Sequence, residues 1–371
     1  MRLALDGREL VAGARTGIGR YVREVLRAAA ARGWRSTVYG DTRTVLAYAP
    51  AGVTLTRLAA PGTRWWDQVA LPRALRRTGA DIFLSPYYKG PVVAPCPVVL
   101  TVHDLYFIGY GGRRRPLRDA ALTAAARLYA RRARAIVTGS EHSRRAIIQR
   151  LEVDPAKVTV IGAAVGAEFV PTPLADAARA RSGLAGSYVL FVGNFKPHKN
   201  VDSLLRAWAS LPATLRAAHR LVLAGGDTEH RPRLEALARV LDVTASVVFP
   251  GRIGDADLPG LYSACAAFVL PSLDEGFGLP AVEAMACGAP VIVSDRGALP
   301  EVAGPGAAVV DVGAEGALAA ALVRVLLEPE HRDALRRRGR ARASDFAPDR
   351  TAGRVLDLLE SLAGAPLGAT R

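Results

Sequence analysis

Short runs rich in Val, Ile and Leu alternate with helical stretches almost from end to end of the chain, and that alternation admits few folds. In the first half RLALD, TVYG, DIFLS, PVVLTVHD, RAIVTGS and KVTVIG read as strands; in the second, SYVLFVGN, RLVLAGG, SVVFPG, AAFVLPS, APVIVSD and AAVVDV do. Strands this apolar suit parallel sheets covered by helices on both faces. Arginine- and alanine-rich helices are expected over residues 18–32, closing at Gly33, and over 118–134 and 143–151; others are expected over 315–327 and 329–343, and from Pro348 onward. The pattern starts afresh near residue 187, so two doubly wound α/β sheets are expected. A chain of 371 residues, 50% apolar, has material for two cores. Residues 171–187, PTPLADAARARSGLAGS, have the composition of a linker. The expected division is 1–178, 179–346 and a final helical segment 347–371.

Several function classes fit poorly. No apolar run approaches the roughly twenty residues that span a bilayer, and MRLALDGREL places Asp6 and Glu9 where a signal peptide is apolar, so a cytoplasmic protein is expected. Cys96, Cys265 and Cys287 are too scattered for a disulfide framework or a zinc site. The net charge of +15 is lopsided: residues 1–183 hold 29 Lys plus Arg against 13 Asp plus Glu, and residues 184–371 hold 20 against 21. Arginine-favouring composition is one reading of this, and an anionic membrane surface or a phosphate-bearing partner is the other. Nucleic acid is not expected as a partner, because the richest basic run, GGRRRPLRDAALTAAARLYARRAR, offers only Tyr129 for stacking.

In open α/β sheets ligands bind beyond the carboxyl ends of strands, and the chemistry-bearing residues cluster there. GARTGIGRYVRE places Gly17 and Gly19 at a helix entrance, where small residues admit a phosphate or hydroxyl to backbone N–H groups. A third glycine of the dinucleotide fingerprint is missing, so a nicotinamide cofactor is not implied. His103 follows the strand in VVLTVHDLYF, where a neutral imidazole can exchange a proton near pH 7. Ser140 in TGSEHS is read as a helix N-cap. SYVLFVGNFKPHKN puts two of the chain's four lysines, Lys196 and Lys199, in one strand-to-helix loop after Gly193 and Asn194, a placement suited to a diphosphate.

The stretch PSLDEGFGLPAVEAMACG carries Glu275 and Glu283 eight residues apart. Pro280 is expected to open a helix, Gly276 and Gly278 to turn N–H groups toward a ligand, and each carboxylate to accept from vicinal hydroxyls. A glycosidase-type carboxylate pair is the competing reading, but it leaves the lysines and glycines without a purpose. Trp65 and Trp66 read as core.

Taken in order, TGIGRY, VHDL, FVGNFKPHKN, FPGRI and PSLDEGFGLPAVEAMACGAPVIVS resemble the family 4 retaining glycosyltransferases, whose E-x7-E signature is Glu275 to Glu283 here. The resemblance implies the GT-B fold, two Rossmann-like domains facing a central cleft, with the acceptor in the first, the nucleotide-sugar donor in the second and a last helix crossing back. It implies that Glu283 binds the donor ribose, Glu275 the transferred sugar, and the N–H groups of Gly276, Phe277, Gly278 and Leu279 sugar and phosphate. Lys199 resembles the lysine that neutralises the diphosphate, His103 the histidine lining the sugar, and Gly17 and Gly19 the loop closing on the phosphates. Where many members have an arginine this chain has Asn194, and Lys196 is the candidate replacement. The implied reaction moves a hexose from a UDP- or GDP-linked donor to an acceptor hydroxyl with retention and without a metal or other cofactor. A nucleotide-sugar epimerase or hydrolase, and a non-catalytic sugar- or nucleic-acid-binding protein, stay open as alternatives.

Overall fold

The computed structural model describes residues 1–11, 16–46, 50–106, 108, 116–184 and 186–364. The arginines at 113–115 and residues 365–371 of the expected last segment lie outside them. Two compact units divide the chain, Met1–Ala164 with Pro348–Arg371, and Val165–Ala347.

The first unit is a parallel sheet of seven strands: β1 (Arg2–Asp6), β2 (Arg35–Gly40), β3 (Val53–Arg57), β4 (Ile82–Ser85), β5 (Val98–Thr101), β6 (Ala135–Thr138) and β7 (Val158–Val160), in the order β3-β2-β1-β4-β5-β6-β7. Leu3 lies opposite Ser36 on β2 and Ile82 on β4. Alternation sends Leu3 and Leu5 to one face and Ala4 to the other, each into its own core cluster. The face with Leu3 and Leu5 is covered by the helix Gly17–Ala31, through Val22, Val25, Leu26 and Ala29, and by the helix Pro348–Ala363, through Val355, Leu356 and Leu359. Each such side chain contributes about 1.5–3 kcal/mol by leaving water.

The second unit is also wholly parallel: β8 (Ser187–Val192), β9 (His219–Ala224), β10 (Val247–Gly251), β11 (Ala267–Leu270), β12 (Val291–Ser294) and β13 (Ala307–Val310), ordered β10-β9-β8-β11-β12-β13. Strands β11 and β12 are buried at every position, as their unbroken apolar sequences require.

Every run read as a strand forms one. The edge strand β3 and the helical turns from Thr63 to Thr78 are additions to that reading. Residues 171–187 contain the helix Asp176–Arg181, with Ala178 and Leu184 buried, and belong to the second unit. Of the tryptophan pair only Trp66 is core, at 3% exposure, whereas Trp65 is 51% exposed; consecutive residues of a helical turn point in different directions, and one of them faces solvent. No helix among the described residues is long and apolar enough to cross a membrane.

Candidate active site

The loop after β8 is fixed from both ends. Asn194 Oδ1 accepts from the Lys196 amide at 3.2 Å, and the turn Pro197–Lys199 then delivers Asn200 at a positive φ of 55°. Asn200 Nδ2 donates to the Pro271 carbonyl at 3.1 Å, and the Leu273 amide donates to the His198 carbonyl at 2.7 Å, which ties this loop to the exit of β11. The result brings together two residues separated by 76 positions: Lys199 Nζ donates to Glu275 Oε1 at 2.5 Å. The same oxygen accepts from Ser272 Oγ at 2.8 Å. Both charged side chains are nearly sealed, 13% and 10% exposed. His198, beside them, has its pKa pushed down to about 4 by burial and by the neighbouring Lys199 charge, so it is neutral at pH 7.

Behind Glu275 the loop after β12 closes in. Gly297, at φ 62°, sits where a Cβ would lie 2.6 Å from the Glu275 amide nitrogen, and the Ala298 amide donates to the Glu275 carbonyl at 3.0 Å. A side chain at 297 would push the carboxylate out of place. The helix beyond, Leu279–Ala286, starts one residue earlier than Pro280 suggests, with Gly278 at φ 92° as its cap. A Cβ on Gly278 would stand 2.4 Å from Leu299, so backbone alone fits there. Phe277 is 8% exposed and packs edge-to-face on Phe346 at 5.2 Å, which anchors the GFG turn to the core.

Glu283 leaves this helix into a different environment. It is 4% exposed, and its Oε2 accepts from the Tyr262 hydroxyl at 3.0 Å. The two glutamates therefore have separate partners, Lys199 and Ser272 for one and Tyr262 for the other. Ser272 stood in view at a strand exit; nothing in the sequence pointed to Tyr262, which reads as an ordinary apolar position of the helix Leu258–Ala264. Lys196 is exposed and has no carboxylate partner among the described residues.

Gly17, Gly19 and His103 belong to the first unit. Thr16 caps the helix Gly17–Ala31: its Oγ1 accepts from the Gly19 amide at 3.0 Å and donates to Glu9 Oε2 at 2.8 Å. The Gly19 N–H is thus already engaged. Ser140 caps the helix Glu141–Leu151 by accepting from the Ser143 amide at 3.1 Å. His103 packs edge-to-face on Tyr21, ring centroids 5.6 Å apart, and Tyr21 is held by a 3.0 Å hydrogen bond with Thr101. Its Nε2 is sealed from solvent and has no hydrogen-bond partner among the described residues. Burial pushes its pKa down to about 4 against the opposing pull of a hydrogen bond that the ring donates to the Pro86 backbone carbonyl, so the ring is neutral at pH 7.

Comparison with known proteins bears on the family and the fold. The family model described as glycosyl transferases group 1 matches residues 177–342, and the model of Glycosyltransferase Family 4 matches residues 15–169. The O-antigen chain mannosyltransferase B of Escherichia coli is 33% identical over 218 residues, 58% of this chain and 57% of that protein. The D-inositol 3-phosphate glycosyltransferase of Kineococcus radiotolerans is 35% identical over 249 residues, 60% of this chain and 56% of that one. The chain spans about half the length of these curated relatives. Sucrose-phosphate synthase from Thermosynechococcus elongatus superposes with a TM-score of 0.80 at 24% identity, covering 98% of this chain and 100% of that one. HepE from Anabaena, solved with UDP-glucose, gives 0.77 at 21% identity, with coverage of 98% and 100%. Those two likenesses establish the fold as GT-B, two Rossmann-like parallel-sheet domains. With one family model on each half and the Glu275–Glu283 signature in place, the chain belongs to glycosyltransferase family 4.

Proposed function

We propose that the protein is a retaining, metal-independent glycosyltransferase that moves a hexose from a UDP- or GDP-linked donor to an acceptor hydroxyl. The observation that carries this reading is the Lys199–Glu275 pair, held at 2.5 Å beside the cap of a helix. A donor diphosphate competes for Lys199 and releases Glu275 to accept from the hydroxyls of the transferred sugar. The amides of Gly276, Phe277, Gly278 and Leu279, at the positive end of their helix, and the unpaired Lys196 then stabilise charge growing on the departing phosphate. Lys196 takes the place of the family arginine absent at Asn194. Glu283, oriented by Tyr262, binds the ribose hydroxyls. The neutral His103 is assigned to the lining of the donor sugar, and Gly17, at the start of its helix, to the loop that closes on the phosphates. In the front-face route the leaving phosphate takes the acceptor proton.

The test is a thermal-shift and donor-turnover panel of UDP-, GDP- and dTDP-sugars. One donor is expected to raise the melting temperature of the parent; Lys199→Ala loses that shift, and Glu275→Ala loses turnover by about 10²–10³-fold. If no nucleotide sugar stabilises the parent, and both variants behave like it, the reading fails. Steady turnover that no hydroxyl acceptor accelerates would point to a hydrolase instead.

The surplus of arginine in the first unit, together with exposed Trp65, Leu117 and Leu128 there, supports peripheral contact with an anionic membrane, at its inner face.

A further inference from the structure

The first sheet has a cavity at the end opposite its strand exits. It measures about 510 Å³ and lies where β1, β2 and β3 begin, lined by Arg2 and Ala4 on β1, Arg35 and Thr37 on β2, Thr54 on β3, and Thr78 at the end of the helix Leu71–Thr78. Its size falls within the ~300–1,000 Å³ of small-molecule sites. The exit of β1 is four residues on from Arg2, on the order of 13 Å at about 3.3 Å per residue. We infer that this cavity binds a phosphate monoester group, at a place separate from the strand exits and independent of the transfer reading.

Register and alternation build the site. Ala4 lies opposite Thr37, and Thr37 opposite Thr54, on the face of the sheet turned away from Leu3 and Leu5. These three side chains are small, so they form a floor with room above it. Two residues earlier, Arg2 lies opposite Arg35. Like charges directly opposite each other on neighbouring strands cost stability, and an anion between them relieves it. The protein supplies one: Asp81 Oδ1 accepts from Arg2 Nη2 at 2.8 Å and Nε at 3.2 Å, and its Oδ2 accepts from the Arg2 amide at 2.7 Å. Asp81 is thereby committed to Arg2. Among the described residues the Arg35 side chain has no hydrogen-bond or ion-pair partner, nor have the hydroxyls of Thr37 and Thr54.

Charge and donor count select the ligand. None of the described residues lining the cavity is acidic, and the last turn of the helix that ends at Thr78 adds Arg76 and Arg77, so the potential here is positive. The groups left open can all donate: the planar fork of Arg35 and two hydroxyls. A carboxylate fills the fork and leaves the hydroxyls idle. A neutral sugar leaves Arg35 unmatched. A phosphate monoester carries a charge of about −1.5 to −2 at pH 7 and three acceptor oxygens, enough for the fork and both hydroxyls at once. The rest of the volume is room for the esterified group.

Calorimetric titration of the full chain with glucose 6-phosphate, and with vesicles containing phosphatidic acid, tests this; glucose and phosphatidylcholine vesicles are the controls. The two esters separate a soluble ligand from a lipid headgroup. At least one is expected to bind in the ~0.1–1 mM range. Arg35→Gln should weaken that binding at least about tenfold, and Thr37→Val about three- to tenfold. Lys199→Ala, in the second unit, should leave it unchanged. Arg35 is exposed and valine keeps the shape of threonine, so neither change endangers the fold. The inference is overturned if neither ester binds below ~10 mM, or if glucose binds as well as its phosphate. Parent-like binding by Thr37→Val would reduce the effect to diffuse charge and overturn it too. Loss of binding in Lys199→Ala would overturn it by placing the ester in the second unit.

Discussion

The Lys199–Glu275 pair holds a cation and an anion in mutual satisfaction at a place where both have work with a ligand. Neutralising the acid should release the base. Glu275→Gln is expected to bind UDP or GDP, without a sugar, at least about fivefold tighter than the parent, the lower end of ordinary site-to-site coupling. Calorimetric titration measures this, and equal or weaker binding would show that Glu275 does not hold Lys199 back. His103 supports a pH prediction. Its folded-state pKa of about 4 lies below the usual 6.5, so the folded state binds fewer protons in between. The stability that goes with the neutral ring is whole above about pH 6.5 and lost progressively toward pH 4. The advantage of the parent over His103→Gln in urea unfolding should therefore shrink by about 2 kcal/mol from pH 7 to pH 5. An unchanged gap would mean that the ring is not buried neutral. Lys199, Glu275 and His103 were legible because strand exits are readable from apolar runs. That Lys199 meets Glu275, and Tyr262 meets Glu283, was not: those contacts depend on how loops far apart in sequence lie over one another.

Legibility of whole elements followed burial. Strands such as VIVS at β12, covered on both faces, have no polar residue until their last position and stand out in the sequence. Strand β3, VTLTR, lies at the sheet edge half-exposed, so threonines and an arginine interrupt its apolar pattern and conceal it. The turns around Trp66 were concealed differently, by a π-helical stretch, Trp66–Ala70, that breaks the 3.6-residue period just before Pro72. The helix Pro348–Ala363 shows what such packing contributes. Leu356 is fully buried in the cluster with Val25, Leu26 and Leu84, and Leu356→Ala should destabilise the first unit by about 2–5 kcal/mol. On the same helix Asp357 forms a 2.6 Å ion pair with Arg32 at the surface, where Arg32→Gln should cost no more than about 1 kcal/mol. Denaturant midpoints of the two variants compare these directly, and similar values would contradict the primacy of the buried face.

At the scale of the molecule the two units differ in charge. The first, Met1–Ala164 with Pro348–Arg371, has 30 Lys plus Arg against 14 Asp plus Glu, and the second has 19 against 20. If that surplus serves a membrane, the protein should co-sediment with vesicles containing phosphatidylglycerol and not with pure phosphatidylcholine, and added salt should release it. Binding to both alike would remove charge as the cause. The division of the chain has a further consequence, for the order of folding. Val165–Ala347 is one uninterrupted segment, whereas the first unit is assembled from both ends of the sequence. As the chain leaves the ribosome, everything the second unit needs has emerged before the residues that cover the helix Gly17–Ala31. Domains usually complete themselves from the N-terminus onward. Here the amino-terminal half waits, its apolar flank exposed, for the last helix to arrive and shield it.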